Sequence, residues 1–152
     1  QEMSRGLGDV YKRQILPLSI MAFLKIFLTF RLLFLAYKEI KGRKIKLEQF
    51  QLYEGNFPDK LWSARYQFQN MFEVPILFYL LCVLQIQLNS YSQLDVYLAW
   101  GFVIFRVLHF FIRLQNQRDL NIRSRTLTFV LSLLCLTIGW VVFIINFLSR
   151  SL

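Results

Sequence analysis

Four long apolar stretches alternate with short polar ones along the chain, and that pattern predicts the fold. Residues 126–149 carry no charge and are rich in Leu, Val, Ile and Phe, and residues 74–94 are also free of charge. Residues 15–37 are interrupted only by Lys25 and Arg31, and residues 96–112 only by Arg106 and His109. A helix crossing the hydrocarbon core of a bilayer needs about 20 mostly apolar residues. Each stretch is therefore predicted to span a membrane. The first is too long for the apolar part of a secretory signal and has no small-residue cleavage site, so it counts as a span. The expected fold class is all-α, an integral membrane four-helix bundle.

Composition agrees. The 152 residues are 56% hydrophobic and 17% aromatic, with sixteen phenylalanines, which excludes a disordered chain and an ordinary soluble domain. Eighteen Lys and Arg against nine Asp and Glu give a net charge of +9. Nucleic acid as partner would want those basic residues clustered on a polar domain, whereas here they lie between apolar runs. Cys82 and Cys135 both fall inside the runs, so neither a disulfide scaffold nor a Cys-rich metal site is expected, and both read as inert. Residues 1–14 (QEMSRGLGDVYKRQ) share nothing with the rest and are read as a non-native or disordered leader ahead of a single domain at 15–150.

The loops set an expected orientation. Residues 38–60 hold Lys38, Lys41, Arg43, Lys44, Lys46 and Lys60, and residues 113–125 hold Arg113, Arg118, Arg123 and Arg125. The connection at 89–95 has no basic residue. By the positive-inside rule both basic loops are cytoplasmic and both termini external, as in a bacterial inner membrane. Within the first loop, Glu48, Phe50, Leu52 and Tyr53 precede the breakers Gly55, Asn56 and Pro58, which predicts a surface loop with an interfacial turn.

Polar residues inside the spans are costly and point to pairing or function. The second helix is expected to begin near Asp59. Arg65, Gln69 and Glu73 then stack at spacing four, and Asn70 and Glu73 pair at spacing three. On the third helix Arg106, His109, Arg113 and Asn116 step by three, four and three, which keeps them on one face. Counted from the external ends, Arg106 and Lys25 lie about 15–16 Å deep, and Glu73, Arg113 and Arg31 about 24–27 Å. Glu73 is therefore expected to pair with Arg31 or Arg113. No acid lies level with Arg106, which leaves backbone carbonyls, a water-filled cleft or an anionic ligand to satisfy it. The competing reading makes these residues interhelical hydrogen-bonding groups and His109 a packing residue. Pro75 removes a backbone donor and should bend the second helix just beyond Glu73. No metal site, Ser-His-Asp triad or phosphate-binding glycine loop is present in the sequence.

Segments 64–84 (ARYQFQNMFEVPILFYLLCVL) and 105–129 (FRVLHFFIRLQNQRDLNIRSRTLTF) resemble the signature regions of the MAPEG superfamily, the membrane-associated proteins in eicosanoid and glutathione metabolism. The N-x-F-E-x-P-x-L-F-Y string from Asn70 to Tyr79 resembles a bacterial subgroup. The resemblance covers nearly all of residues 15–150. It implies a homotrimer of four-helix protomers, with glutathione as co-substrate bound between neighbours toward the cytoplasmic side.

The resemblance also implies roles. Asn70 and Glu73 match helix-two residues that contact glutathione or the subunit core, Arg106 and His109 match helix-three positions, and Ile122-Arg123-Ser124 is similar to an Arg-Ser pair that activates the thiol. Lys25 and Lys38 roughly match basic positions on the first helix. Arg65 stands one residue from an expected Arg, whose place Tyr66 takes, and an Arg-Ala-His run is missing. Arg113 replaces a Tyr, and the spacing from His109 to Arg123 is one residue longer than in the family's synthases. The implied activity is a glutathione-dependent transferase or peroxidase acting on lipophilic electrophiles. Arg123 and Ser124 are its catalytic pair, and Arg65, Asn70, Glu73, Arg106, His109 and Arg113 bind glutathione. The departures motivate an alternative, a noncatalytic lipid-binding or scaffold protein. A transporter has only the buried charge in its favour.

Overall fold

The computed structural model describes residues 2–43, 45–46, 48–52, 55–90, 92–115 and 122–151. Its elements are α1 (Glu2–Lys41), α2 (Gln49–Leu52), α3 (Asp59–Gln87), α4 (Gln93–Gln115) and α5 (Ile122–Ser151). Four of them contain stretches long and apolar enough to cross a membrane: Arg13–Lys41, Asp59–Gln87, Gln93–Gln115 and Ile122–Ser149. The four-span architecture read from the apolar pattern is thus present. The single-turn α2 falls in the loop where an interfacial turn is expected, and Phe50 sets its ring edge-on to Phe57 at 5.3 Å. Asn116 of the third-helix stripe and the loop residues Lys44 and Arg118 lie outside the described residues.

Local chemistry fixes the short connection between α3 and α4. Asn89 takes a left-handed φ of 47°, which its short polar side chain tolerates better than most residues. Its N–H donates to the Ile86 carbonyl, and the Ser90 N–H donates to Gln85. These two bonds are the Schellman termination of a helix. Two residues on, Ser92 and Asp95 form a capping box. The Ser92 N–H donates to Asp95 Oδ2 at 2.6 Å, and the Asp95 N–H donates to Ser92 Oγ at 3.3 Å. A tight reversal between two spans follows.

α4 packs along α5 and α1 along α3, and contacts of α1 with α4 and α3 with α5 close the bundle. The core comprises Met21 and Leu28 of α1, Met71, Phe78, Leu81 and Cys82 of α3, Ala99, Phe102, Val103 and Phe110 of α4, and Leu136 and Phe143 of α5. Phe78 stacks on Phe102 with ring centroids 4.5 Å apart. Small residues let the backbones approach: a methyl group added at Gly101 would sit 3.1 Å from Cys135 Sγ, and one at Gly139 would sit 3.1 Å from Leu81. Both cysteines are free, Cys82 buried and Cys135 half-buried.

A buried polar chain joins three helices at the α3–α4 turn. Gln14 Nε2 donates to Gln85 Oε1 at 2.8 Å, and Gln85 Nε2 donates to Asp95 Oδ1 at 2.9 Å. Gln14 belongs to the stretch that composition sets apart as a leader, yet α1 runs on from Glu2 through it and its side chain is fully buried.

Candidate functional site

The residues singled out in the sequence do not form one constellation. Buried positions on α3 are Leu61, Ala64, Gln67, Met71, Pro75, Phe78, Leu81, Cys82 and Gln85. That face lies away from the Arg65–Gln69–Glu73 stripe. Gln69 and Glu73 are exposed on the protomer, and Asn70 and Arg65 are half-buried. The polar residues α3 turns inward are Gln67 and Gln85, both of which the sequence reading passed over. Arg31 Nη1 donates to Gln67 Oε1 at 2.8 Å, and Gln67 Nε2 donates to the Phe110 carbonyl at 3.3 Å. The expected Glu73 ion pair is therefore corrected for Arg31, whose described partner is a neutral amide. Glu73, six residues beyond Gln67, points about 120° away around the helix and does not share the inward face. The signal was available, because Gln67 continues the spacing of Ala64, Met71 and Pro75.

Replacing Gln67 with leucine is expected to leave the Arg31 guanidinium and the Phe110 carbonyl short of a partner. About 1–3 kcal/mol of stability should be lost, read as a lower unfolding temperature in detergent. An added Arg31→Met change should recover most of it.

Lys25, deep in α1, is also satisfied inside the protomer. Its Nζ donates to the Phe68 carbonyl at 2.8 Å and sits 3.2 Å from the centre of the Phe68 ring.

α4 behaves differently. Arg106, His109 and Arg113 are all buried, so the stripe read from spacing does face the interior. Arg106 is 0% exposed, its guanidinium carbon 5.0 Å from the Phe129 ring centre and 5.5 Å from that of Phe102. Nε, Nη1 and Nη2 make no hydrogen bond within the protomer. His109 Nδ1 lies 3.1 Å from the Arg125 carbonyl and 3.3 Å from Thr128 Oγ1. A carbonyl only accepts, so Nδ1 carries a proton in that bond and the buried Nε2 is left without a partner. Arg106, Arg113 and Arg125 all act electrostatically on the His109 ring. This concentration of positive charge at the α4–α5 seam is shaped for an anion. Arg125 and Thr128 belong to it, although the sequence reading counted Arg125 only among the basic loop residues and singled out its neighbours Arg123 and Ser124 for the site.

Arg123 and Ser124 lie on the first turn of α5 and are exposed on the protomer. Arg65 lies elsewhere, beside a groove lined by α1, α3 and the loop between them, with no described residue of α4 or α5 in its lining. Among the described residues no group of His, Cys, Asp and Glu could hold a metal ion.

Four apolar helices around a shared core define an integral membrane protein of the all-α class. Residues 18–145 match the MAPEG family, and the chain belongs to that family. Membership supports, at family level, a membrane function related to glutathione transferases and peroxidases. No curated protein and no solved structure matches the chain.

Proposed function

We propose that the protein is a glutathione-dependent transferase or peroxidase that acts on lipophilic electrophiles, with glutathione held at the Arg106 cluster of a homotrimer. The observation that carries this is Arg106, a fully buried guanidinium whose three nitrogens have no protein partner. A buried guanidinium is costly unless an anion meets it, and a planar fork suits a carboxylate. Glutathione brings two carboxylates, an ammonium group and a thiol. Arg106 and Arg113 take the carboxylates, and His109 Nε2 is a further polar contact.

The outward-facing residues support an assembly. Asn70 and Glu73 on α3, and Arg123 and Ser124 on α5, are polar groups on flanks that a lone protomer would turn to its surroundings, Glu73 from within a span. Such residues are costly against lipid, and contact between protomers covers them. In this reading Glu73 and Asn70 meet the ammonium end or order an arginine. Arg123 stabilises the thiolate left when the thiol proton passes to water, Ser124 donates a hydrogen bond to it, and the sulfur bonds to the electrophilic carbon of a substrate arriving from the bilayer as the leaving group departs with its bonding pair.

Calorimetry of the purified protein with glutathione, together with conjugation of a chlorodinitrobenzene-type electrophile, tests the proposal. An Arg123→Ala, Ser124→Ala double variant is expected to bind glutathione as the wild type does and to lose about 100-fold in turnover. Wild type that binds no glutathione refutes the reading. The exposure of Arg123 and Ser124 favours a second reading, a noncatalytic lipid-binding or scaffold protein. Undiminished cellular function in the double variant would select it.

A further inference from the structure

A second hydrophobic cluster stands apart from the main core. Ile45, Phe57 and Leu61 form it, with Leu32, Leu35, Ala36, Phe50 and Trp62 packed around them. On its flank lies an open groove of about 110 Å³ between α1, α3 and the 42–58 loop. Leu32, Ala36, Phe50, Phe57 and Trp62 give it apolar walls, and Arg65 is the one charged lining residue described. The Arg65 guanidinium carbon is 5.3 Å from the Trp62 ring centre, and Trp62 stacks on Tyr66.

Position narrows what can enter. Arg65 is six residues inside the start of α3, about 9 Å along the axis, and Leu32 and Ala36 lie within about 14 Å of the end of α1. The groove therefore opens near the head-group level, where tryptophan and tyrosine commonly anchor a span. The chain from Lys38 to Arg65 carries seven basic residues and four acidic ones, so this end of the bundle is cationic. An apolar trough with an arginine at its edge and a basic surround is complementary to an amphiphile with a negative head.

We propose that this groove holds an acyl chain of an anionic phospholipid, with Arg65 on its phosphate. The site is separate from the Arg106 cluster and does not depend on glutathione. It assigns Arg65 to a lipid.

Brominated lipids test it. Trp62 is left as the sole tryptophan by Trp100→Phe and Trp140→Phe, and the protein is placed in phosphatidylcholine vesicles containing a minority of phosphatidylglycerol. Bromine on the phosphatidylglycerol chains is expected to quench Trp62 as though that lipid were enriched about fivefold over phosphatidylcholine. Arg65→Gln should abolish the preference. Ala36→Phe, which fills the trough, should bring quenching down to the level of bulk lipid. A protein with Trp100 as sole tryptophan should show no preference. Equal quenching by the two brominated lipids overturns the proposal, as does a preference that survives Arg65→Gln. A matching preference at Trp100 also overturns it, because basic proteins gather anionic lipid all round. Where Ala36→Phe does not fold, judged by circular dichroism, the Arg65→Gln and Trp100 comparisons decide.

Discussion

Arg106→Leu is expected to make the ligand-free protein more stable and to remove its response to glutathione. The guanidinium is enclosed by Phe102 and Phe129 and donates no hydrogen bond within the protomer. Replacing buried charge by an apolar side chain of similar volume commonly stabilises by about 1–4 kcal/mol. Thermal unfolding in detergent should therefore rise by several degrees. In the wild type, glutathione at 100 times its Kd should add about 2.7 kcal/mol, and in Arg106→Leu that increment should disappear. An arginine whose purpose is to join helices gives the opposite pair of results: a lower unfolding temperature in the variant, and no effect of glutathione on either protein.

Glu73→Arg is expected to dissociate the assembly. Glu73 lies within a span and is exposed on the protomer, beside exposed Phe72, Ile76 and Leu77. A carboxylate in that setting is tolerated where another subunit covers it, and reversal of its charge places like charges together at each copy of the contact. Light scattering in detergent should show trimer mass for the wild type and for Glu73→Gln, and monomer mass for Glu73→Arg. A wild type that is itself monomeric, or a Glu73→Arg protein that keeps the full mass, removes the assembly from the proposed function.

The spans were legible because their signal is length and apolarity, which do not depend on what a helix packs against. The α4 stripe was legible for a related reason. Arg106, His109 and Arg113 sit on the same side as Val96, Ala99, Phe102, Val103 and Phe110, so charge and core coincide on one face. α3 gave a misleading stripe. Its polar and apolar residues are both spread around the helix, and apolar residues that meet lipid look the same in sequence as apolar residues that meet a neighbouring helix. With no contrast to mark the inward side, the most charged face drew attention, while Gln67 and Gln85 carried the interhelical bonds. Arg125 escaped notice because its contribution comes partly through its carbonyl, which no side-chain pattern encodes. The division of Arg65 from Arg106 depends on how α1 lies along α3, a relation between distant segments.

The two ends of the bundle differ in a way that bears on its motions. Near the α3–α4 turn, Gln14, Gln85 and Asp95 lace three helices together through neutral and singly charged groups. About 16–27 Å along α4 from Asp95, Arg106, His109 and Arg113 are buried near the first turns of α5. Amide hydrogens around the laced end should exchange only on global unfolding, whereas those around Arg106 and Thr128 should exchange by local opening. A counter-ion that settles among the arginines would slow that opening, so the ligand would act as a further fastening between α4 and α5.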